Sequence, residues 1–141
     1  MRIVVGVDGT ETAETAALVA GRLAQALQAD LHLLMAFKRD AVEQFEGGTQ
    51  EVVLSTAEQA TAVVERSARR IRKVFPDVQV VPASVRGRAV ESLVRYAESI
   101  DAGLIVVGNK RAQGIGRILG SVAHDVTATA PCDVYVAHTQ A

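Results

Sequence analysis

The residues best suited to chemistry form a glycine-rich stretch in the last third of the chain. Positions 104–107, which are Leu, Ile, Val and Val, are typical of a strand buried on both faces. Gly114, Gly116 and Gly120 follow, and Ser121 then begins an apolar pattern with helical spacing. Glycines let backbone N–H groups approach an anion, and a helix start offers unpaired donors. A strand, such a loop and a helix capped by serine therefore favour phosphate binding.

The charges around these glycines are all of one sign. Between Leu104 and His124 the chain contains Lys110, Arg111 and Arg117 but neither Asp nor Glu. The alternative interpretation is a solvated loop that needs glycine only for tight turns. The residues alone leave both an anion site and an ordinary surface loop open.

Several other kinds of phosphate chemistry are excluded by the motifs. The chain has no G-x-x-x-x-G-K-[ST] loop, and its G-x-G-x-x-x-G is one residue too long for the dinucleotide fingerprint. The residues around Asp8 are similar to the D-x-D-G-T motif of haloacid-dehalogenase-type phosphatases. Gly6 stands where that motif has its nucleophilic aspartate, so this class of enzyme is excluded.

Nucleophilic and metal chemistry lack a suitable arrangement. Ser121, His124 and Asp125 have the residue types of a triad, but helical spacing puts the aspartate beside both partners instead of behind the histidine. Three scattered histidines and one cysteine do not predict a metal site. Cys132 has no adjacent His or Lys to lower its pKa, so a structural role is expected.

Composition predicts one globular domain. The chain has 141 residues, of which 49% are hydrophobic and 22% charged. The net charge of −1 argues against a nucleic-acid partner and against a polybasic membrane anchor. No apolar run reaches the roughly 18 residues of a membrane span. A strand that begins at Arg2 leaves no room for a signal peptide, and a single cysteine cannot form an internal disulfide. We therefore expect a cytoplasmic protein.

The pattern of the whole chain predicts five strands with a helix between each successive pair. Strict alternation implies parallel strands, right-handed crossovers and helices on both faces. The expected fold class is a doubly wound α/β protein with one domain over residues 1–141. In such a sheet, ligands lie at the carboxyl ends of strands where the strand order reverses. The predicted strands are residues 2–7, 31–37, 78–82, 104–107 and 133–138.

Apolar residues at three- and four-residue spacing predict the four helices. These helices run from Ala13 to Leu27, from Val53 to Lys73, from Val90 to Ile100 and from Ser121 to Ala130, and residues 38–49 are a predicted loop. Near the last helix, the residues predicted to be buried are Leu119, Val122, Ala123, Val126 and Ala130.

Taken together, the motifs make the chain similar to the universal stress protein family over nearly its whole length. The resemblance depends on residues 5–10 at the end of the first strand, Gly87 before the third helix, and residues 104–108, 119–122 and 130–134. It implies five parallel strands in the order 3-2-1-4-5. It also implies a homodimer joined along the last strand, between Val134 and Ala137.

The resemblance further implies a ligand, because many members bind ATP or related adenine nucleotides through the pattern G-x-x-G-x(9)-G-[ST]. Some members are linked to cyclic AMP. Asp8 matches the position that meets the nucleoside, and Ala36 matches a position that packs on adenine. The residues expected to bind the nucleotide are Val7, Asp8, Gly9, Ala36, Val107, Gly108, Lys110, Arg111, Gly120, Ser121 and Val122.

The match departs from the pattern at its second glycine. Arg111 stands at that position, and the interval from Gly108 to Gly120 is one residue shorter than the pattern requires. Arginine lacks glycine's freedom in φ, so the loop must follow another path. Either Gly114 and Gly116 restore a tight turn, or Arg111 itself neutralises a phosphate.

Three functions follow from the resemblance and this departure. The first is a dimeric stress-response regulator that binds ATP, AMP or cyclic AMP at the carboxyl ends of strands 1 and 4. The second is a dimeric stress protein whose altered loop binds no nucleotide. The third, a slow nucleotide hydrolase, lacks a placed general base, since Asp8 is the only carboxylate expected near the site. We therefore expect a binding protein and not an enzyme.

Overall fold

The computed structural model describes residues 1–38, 49–109 and 119–139. Within these ranges five strands alternate with four helices, which confirms the predicted fold class. The elements are β1 (Arg2–Gly6), α1 (Glu11–Leu27), β2 (Asp30–Phe37), α2 (Thr49–Val74), β3 (Val80–Arg86), α3 (Ala89–Ser99), β4 (Leu104–Asn109), α4 (Ser121–Thr129) and β5 (Asp133–His138).

The strands form one parallel sheet in the order β3-β2-β1-β4-β5. The central strand β1 pairs with β2 in the register Arg2↔Asp30 and with β4 in the register Ile3↔Leu104. The chain first builds outward from β1 to β3 and then returns to add β4 on the other side of β1. The order therefore reverses between β1 and β4, where ligands bind in sheets of this kind. The order implied by the family resemblance is confirmed.

Alternate side chains of the central strands enter two apolar layers, one on each face of the sheet. Ile3 and Val5 pack against α1 and α2, and Val4 packs against α3 and α4. Helix α1 lies close to the sheet because its buried residues are four alanines and Gly21. A Cβ atom at Gly21 would come within 2.6 Å of the Phe75 ring, so glycine lets α1 and the end of α2 meet.

Most element boundaries lie within two residues of the predicted ones, and the larger differences are the end of β3 and the start of α2. Strand β3 was expected to end at Pro82 but continues to Arg86, with Pro82 opposite Leu33. The strand lies at the edge of the sheet, where one row of N–H groups has no partner strand, so proline is tolerated there. Helix α2 begins at Thr49, before the first residue of its apolar pattern. The remainder of the predicted loop, residues 39–48, lies outside the described ranges.

None of the helices in the described ranges combines the length and the apolar character needed to cross a membrane. In the same part of the chain, no three His, Cys, Asp or Glu side chains are grouped so that they could hold a metal ion.

Candidate functional site

A cavity of about 420 Å³ lies where the strand order reverses. The carboxyl ends of β1, β2 and β4 form its floor, and the first residues of α1, α3 and α4 form its rim. Its volume is that of a small-molecule site. The lining residues are Gly6, Val7, Asp8, Thr10, Thr12, Ala13, Leu34, Ala36, Ala89, Leu93, Val107, Gly108, Asn109, Gly120, Ser121, Val122 and Ala123.

A tight turn connects β1 to α1 on one side of the cavity. Asp8 Oδ1 accepts hydrogen bonds from the Thr10 backbone N–H at 3.0 Å and from the Thr10 hydroxyl at 2.6 Å. Gly9 has a φ of 85°, a conformation that strains other residues. Asp8 is exposed, and among the described residues that line the cavity it is the only charged one. Its Oδ2 atom forms no hydrogen bond with any described residue.

The start of α1 is capped and charge-complemented by the protein's own side chains. Thr10 Oγ1 accepts a hydrogen bond from the Ala13 N–H at 3.2 Å, and the first turn carries Glu11 and Glu14. Glu14 also accepts hydrogen bonds from Ser67 at 2.6 Å and Arg70 at 2.8 Å, both on α2. These contacts cap α1, complement its dipole and fix its first turn to the neighbouring helix.

The start of α4 is open instead. Gly120 is the N-cap residue and offers no side-chain hydrogen bond, and the first turn contains no acidic residue. The prediction that Ser121 caps this helix is therefore wrong, because Ser121 is its first helical residue and is exposed. Within the described residues, the first-turn N–H groups of Ser121, Val122 and Ala123 consequently have no capping side chain, and the positive end of the helix dipole meets the cavity.

Asn109 connects the end of β4 to the start of α4. Its Oδ1 accepts a hydrogen bond from the Gly120 N–H at 2.8 Å, and only 5% of its surface is exposed. The bond joins residues that lie 11 positions apart in sequence. It therefore holds together the two ends of the segment between β4 and α4.

Gly108 lies where three segments approach closely. A Cβ atom there would come within 3.0 Å of Thr12 Cγ2 and 3.1 Å of Thr139 Cγ2. Glycine at this position allows the start of α1 to reach the end of β4. The lining of the cavity includes residues from both of these segments and from the start of α4.

Most of the predicted site residues meet in this cavity, although their binding of a nucleotide stays a prediction. Gly9 does not line the cavity and instead shapes the turn before α1. Lys110 and Arg111 lie outside the described residues. The predicted residues that line the cavity are Val7, Asp8, Ala36, Val107, Gly108, Gly120, Ser121 and Val122.

The sequence did not single out Asn109 or Thr12, because their placement depends on contacts between distant segments. A polar residue directly after a buried strand was the available signal for Asn109. The other lining residues that were not predicted are Gly6, Thr10, Ala13, Leu34, Ala89, Leu93 and Ala123.

The predicted buried face at α4 is only partly correct. Ala123 and Val126 are buried, whereas Leu119 is 39% and Val122 is 45% exposed. Leu119 precedes the cap residue and is therefore outside the helix, and Val122 lines the cavity. Val122 therefore faces the cavity, and neither Val122 nor Leu119 enters the core.

The residues with triad chemistry do not form a triad. His124 Nδ1 lies 3.3 Å from Asp125 Oδ1, and both side chains are more than half exposed. Cys132 is half-buried against the apolar layer of α3 and α4. Burial, and then the neighbouring Asp133, raises the pKa of the Cys132 thiol, which agrees with the structural role expected for it.

A buried histidine lies on β2, on the face that α3 covers. His32 Nδ1 is 2.7 Å from the Tyr96 hydroxyl. Burial lowers the pKa of His32 below its usual value, with a smaller opposing effect of Asp30 and a smaller lowering effect of Arg2. Burial also raises the pKa of Tyr96. A neutral imidazole hydrogen-bonded to a neutral phenol suits this environment.

Comparison with known proteins agrees with this architecture. A family model described as the universal stress protein family matches residues 1–138. Universal stress protein Rv1636 of Mycobacterium tuberculosis is 30% identical over 142 residues, which cover 97% of this chain and 95% of that protein.

A second relative is longer. Universal stress protein Rv2623 of the same organism is 33% identical over 136 residues, which cover 96% of this chain but 44% of that protein. This chain therefore spans less than half the length of Rv2623.

Among solved structures, a universal stress protein in complex with cAMP superimposes with a TM-score of 0.76 and 29% sequence identity. The alignment covers 99% of this chain and 98% of that one.

Proposed function

The chain belongs to the universal stress protein family, and we propose that it binds an adenine nucleotide in the cavity between β1 and β4. The observation that carries the proposal is the open first turn of α4 at this cavity, with no cap side chain and no acidic residue. Free backbone N–H groups and the helix dipole attract an anion. The phosphate of the nucleotide therefore lies against Gly120, Ser121 and Val122.

The remainder of the cavity suits a nucleoside. Leu34, Leu93 and Val107 make part of its wall apolar, and Ala36 presents a small side chain beside them. A flat base needs such a surface. Asp8 Oδ1 is held by Thr10, so its free Oδ2 is oriented to accept a hydrogen bond from a sugar hydroxyl.

The relative in complex with cAMP supports an adenine nucleotide as the class of ligand, since it shares 29% of its residues and almost its whole length with this chain. We propose AMP, cyclic AMP and ATP as the candidates. The protein acts as a cytoplasmic binding protein and not as an enzyme. Asp8 is the only carboxylate among the described residues of the lining, and its Oδ1 accepts a hydrogen bond from Thr10. The described lining therefore offers no second acid for acid–base catalysis.

Calorimetry with AMP, cyclic AMP and ATP tests this proposal, using protein stripped of any nucleotide retained in purification. The wild type is expected to bind at least one of them, and Gly120→Val none. Gly120 has φ −65° and ψ 162°, which valine adopts easily, so the variant should fold normally while its side chain fills the phosphate position. No binding by the wild type at millimolar nucleotide, or equal binding by both proteins, would contradict the proposal.

The altered loop supplies a different test. In the opposing hypothesis, Arg111 and the missing position close the site and no nucleotide binds. Arg111→Gly then creates or improves binding. If Arg111 instead neutralises a phosphate, the same change weakens binding and reduces its dependence on salt concentration.

We also propose that the protein forms a homodimer through β5. This strand pairs with β4 and is the edge strand on its side of the sheet, with Tyr135 42% exposed. Between Val134 and Ala137 it has neither Lys nor Pro, the residues that usually block edge pairing. Sedimentation should show a dimer at micromolar concentration and a monomer for Tyr135→Lys. A wild-type monomer under these conditions would refute this assembly.

A further inference from the structure

We infer that Asn109 positions the phosphate end of the ligand, with Oδ1 fixing the start of α4 and Nδ2 donating a hydrogen bond to a phosphate oxygen. The inference rests on the proposed nucleotide binding and deepens it. It assigns a role to a position that the pattern G-x-x-G-x(9)-G-[ST] leaves unspecified.

The orientation of the Asn109 amide follows from its hydrogen bond. The Gly120 N–H can only donate, so the atom that lies 2.8 Å from it must be the carbonyl oxygen Oδ1. The nitrogen Nδ2, with its two donor hydrogens, therefore occupies the other position of the amide. It has no hydrogen-bond partner in residues 1–38, 49–109 and 119–139.

The burial of Asn109 makes these unused donors informative. The residue is 5% exposed and lines the cavity. Within the described ranges, Thr139 Oγ1 is the fully buried side-chain polar atom without a partner. Nδ2 is not such an atom, and its residue lines the cavity, so we assign the two Nδ2 donors to the cavity. Donors in such a place are costly unless something in the cavity accepts their hydrogen bonds.

The location of these donors identifies what accepts them. Oδ1 and Nδ2 share one carbon atom, so Nδ2 lies beside the Gly120 N–H and thus beside the open first turn of α4. On this assignment, neutral donors from β4 and from α4 face the same part of the cavity, where no cap or acid of the described residues occupies them. Convergent N–H groups in a partly enclosed site favour a negatively charged oxygen over a neutral one.

The composition of the chain permits a test without mutation, since Asn109 is its only asparagine. Protein labelled with ¹⁵N-asparagine gives one side-chain NH₂ pair in its spectrum. Titration with AMP should shift this pair, whereas titration with adenosine, which lacks the phosphate, should leave it nearly unchanged.

Two variants separate the roles of the two amide atoms. Asn109→Asp keeps an acceptor for the Gly120 N–H but removes the donor, and Asn109→Ala removes both. Asn109→Ala should lower AMP affinity about 10- to 100-fold, the effect of losing a hydrogen bond to a charged group. Asn109→Asp should lower it at least about 100-fold, because it also places a negative charge beside the phosphate. Adenosine affinity should stay within about twofold of the wild-type value. Thermal unfolding should be lowered in Asn109→Ala but not in Asn109→Asp.

The outcomes distinguish the role of Asn109 from the proposed binding of a nucleotide. If the wild type binds none of AMP, cyclic AMP and ATP, both fail, and if it binds cyclic AMP or ATP but not AMP, the same tests use that nucleotide. If AMP binds while the NH₂ pair does not move, or if both variants keep wild-type AMP affinity, only the role of Asn109 is refuted. If adenosine affinity falls as much as AMP affinity, Asn109 shapes the cavity and does not meet the phosphate, which also refutes the inference.

Discussion

Of the helices that begin at the cavity, α1 and α4 have first turns that are built in opposite ways. At α1, Thr10 caps the Ala13 N–H, and Glu11 and Glu14 lie in the first turn. At α4, Gly120 has no side chain with which to cap, and the first turn contains no acid. Both helix starts carry the same partial positive charge. The protein complements that charge with its own residues at α1 and leaves it uncomplemented at α4.

The difference teaches how a helix start can serve either the fold or a ligand. The acids of α1 make its first turn a poor place for an anion, and Glu14 is committed to Ser67 and Arg70 of α2. The first turn of α4 lacks an N-cap side chain, an interaction that stabilises a helix by about 1 kcal/mol. In the function proposed above, the phosphate of the nucleotide would supply the missing complement.

The largest change is expected when α4 is made to resemble α1. Ser121→Glu puts an acid into the first turn of α4 and should lower AMP affinity at least about 100-fold, because a like charge at about 4 Å costs about 4 kcal/mol near a protein surface. The same charge should leave stability unchanged or raise it by about 0.3–1 kcal/mol. Calorimetry and urea unfolding measure the two effects. Gln25→Glu, at the distant end of α1, adds the same charge as a control, and an equal loss of affinity there would contradict the local explanation.

Removing the Ser121 hydroxyl should have an intermediate effect on binding. Ser121→Ala is expected to lower AMP affinity about 10- to 100-fold through the loss of one hydrogen bond to a charged oxygen. Since Gly120 is the cap residue, stability should change by less than about 0.5 kcal/mol. The matched control is Ser99→Ala at the end of α3, whose hydroxyl donates to the Tyr96 carbonyl. A stability loss of a full cap in Ser121→Ala would show that the comparison of the two helix starts is mistaken.

The opposite result is expected at α1. Thr10→Ala removes the cap of the Ala13 N–H and should reduce the free energy of unfolding by about 1 kcal/mol. AMP affinity should stay within about twofold, because Asp8 keeps its hydrogen bond from the Thr10 backbone N–H. Thr10→Ser preserves the cap and serves as the control. If Thr10→Ala weakens AMP binding more than it weakens the fold, α1 contributes to the ligand site directly.

The smallest expected effect is the pH dependence of the free energy of unfolding that is caused by His32. The pKa of His32 is lowered in the folded chain, so the unfolded chain binds the proton more tightly. The stability of the fold is unaffected by His32 above about pH 6.5, the pKa of histidine in the unfolded chain. As the pH falls below this value, the free energy of unfolding decreases by at most about 1.4 kcal/mol per pH unit. Urea unfolding between pH 5 and 7.5 should show a shallower loss in His32→Gln than in the wild type. An identical slope in both proteins would mean that His32 does not titrate on unfolding.

The sequence was sufficient for the elements and the sheet because their signals are local. Alternating strands and helices follow from hydrophobic periodicity, and the motif around Asp8 and Gly108 indicated the strand order through the family resemblance. The end of β3 was missed because Pro82 usually ends a strand, and its tolerance depends on a position at the sheet edge. That position is a property of the assembled sheet.

The candidate site was predictable in part for a similar reason. Val7, Asp8 and Gly120 stand beside strand ends and belong to local motifs, so sequence could place them at the cavity. Asn109 makes its one side-chain hydrogen bond to a residue 11 positions away, and the identity of the α4 cap depends on where that helix begins. Such contacts depend on three-dimensional placement, and helix boundaries are uncertain by a residue or two.

The shallow burial of α4 has a consequence for how the protein responds in time. Its buried residues are Ala123 and Val126, whereas α1 buries Ala16, Ala17, Ala20, Gly21 and Ala24. A short helix with so little buried surface opens by local fluctuation more readily than the centre of the sheet. Its amide hydrogens should therefore exchange with solvent faster than those of α1. A ligand bound at its first turn should slow that exchange. The presence of a metabolite would then lengthen the time for which α4 stays folded between opening events.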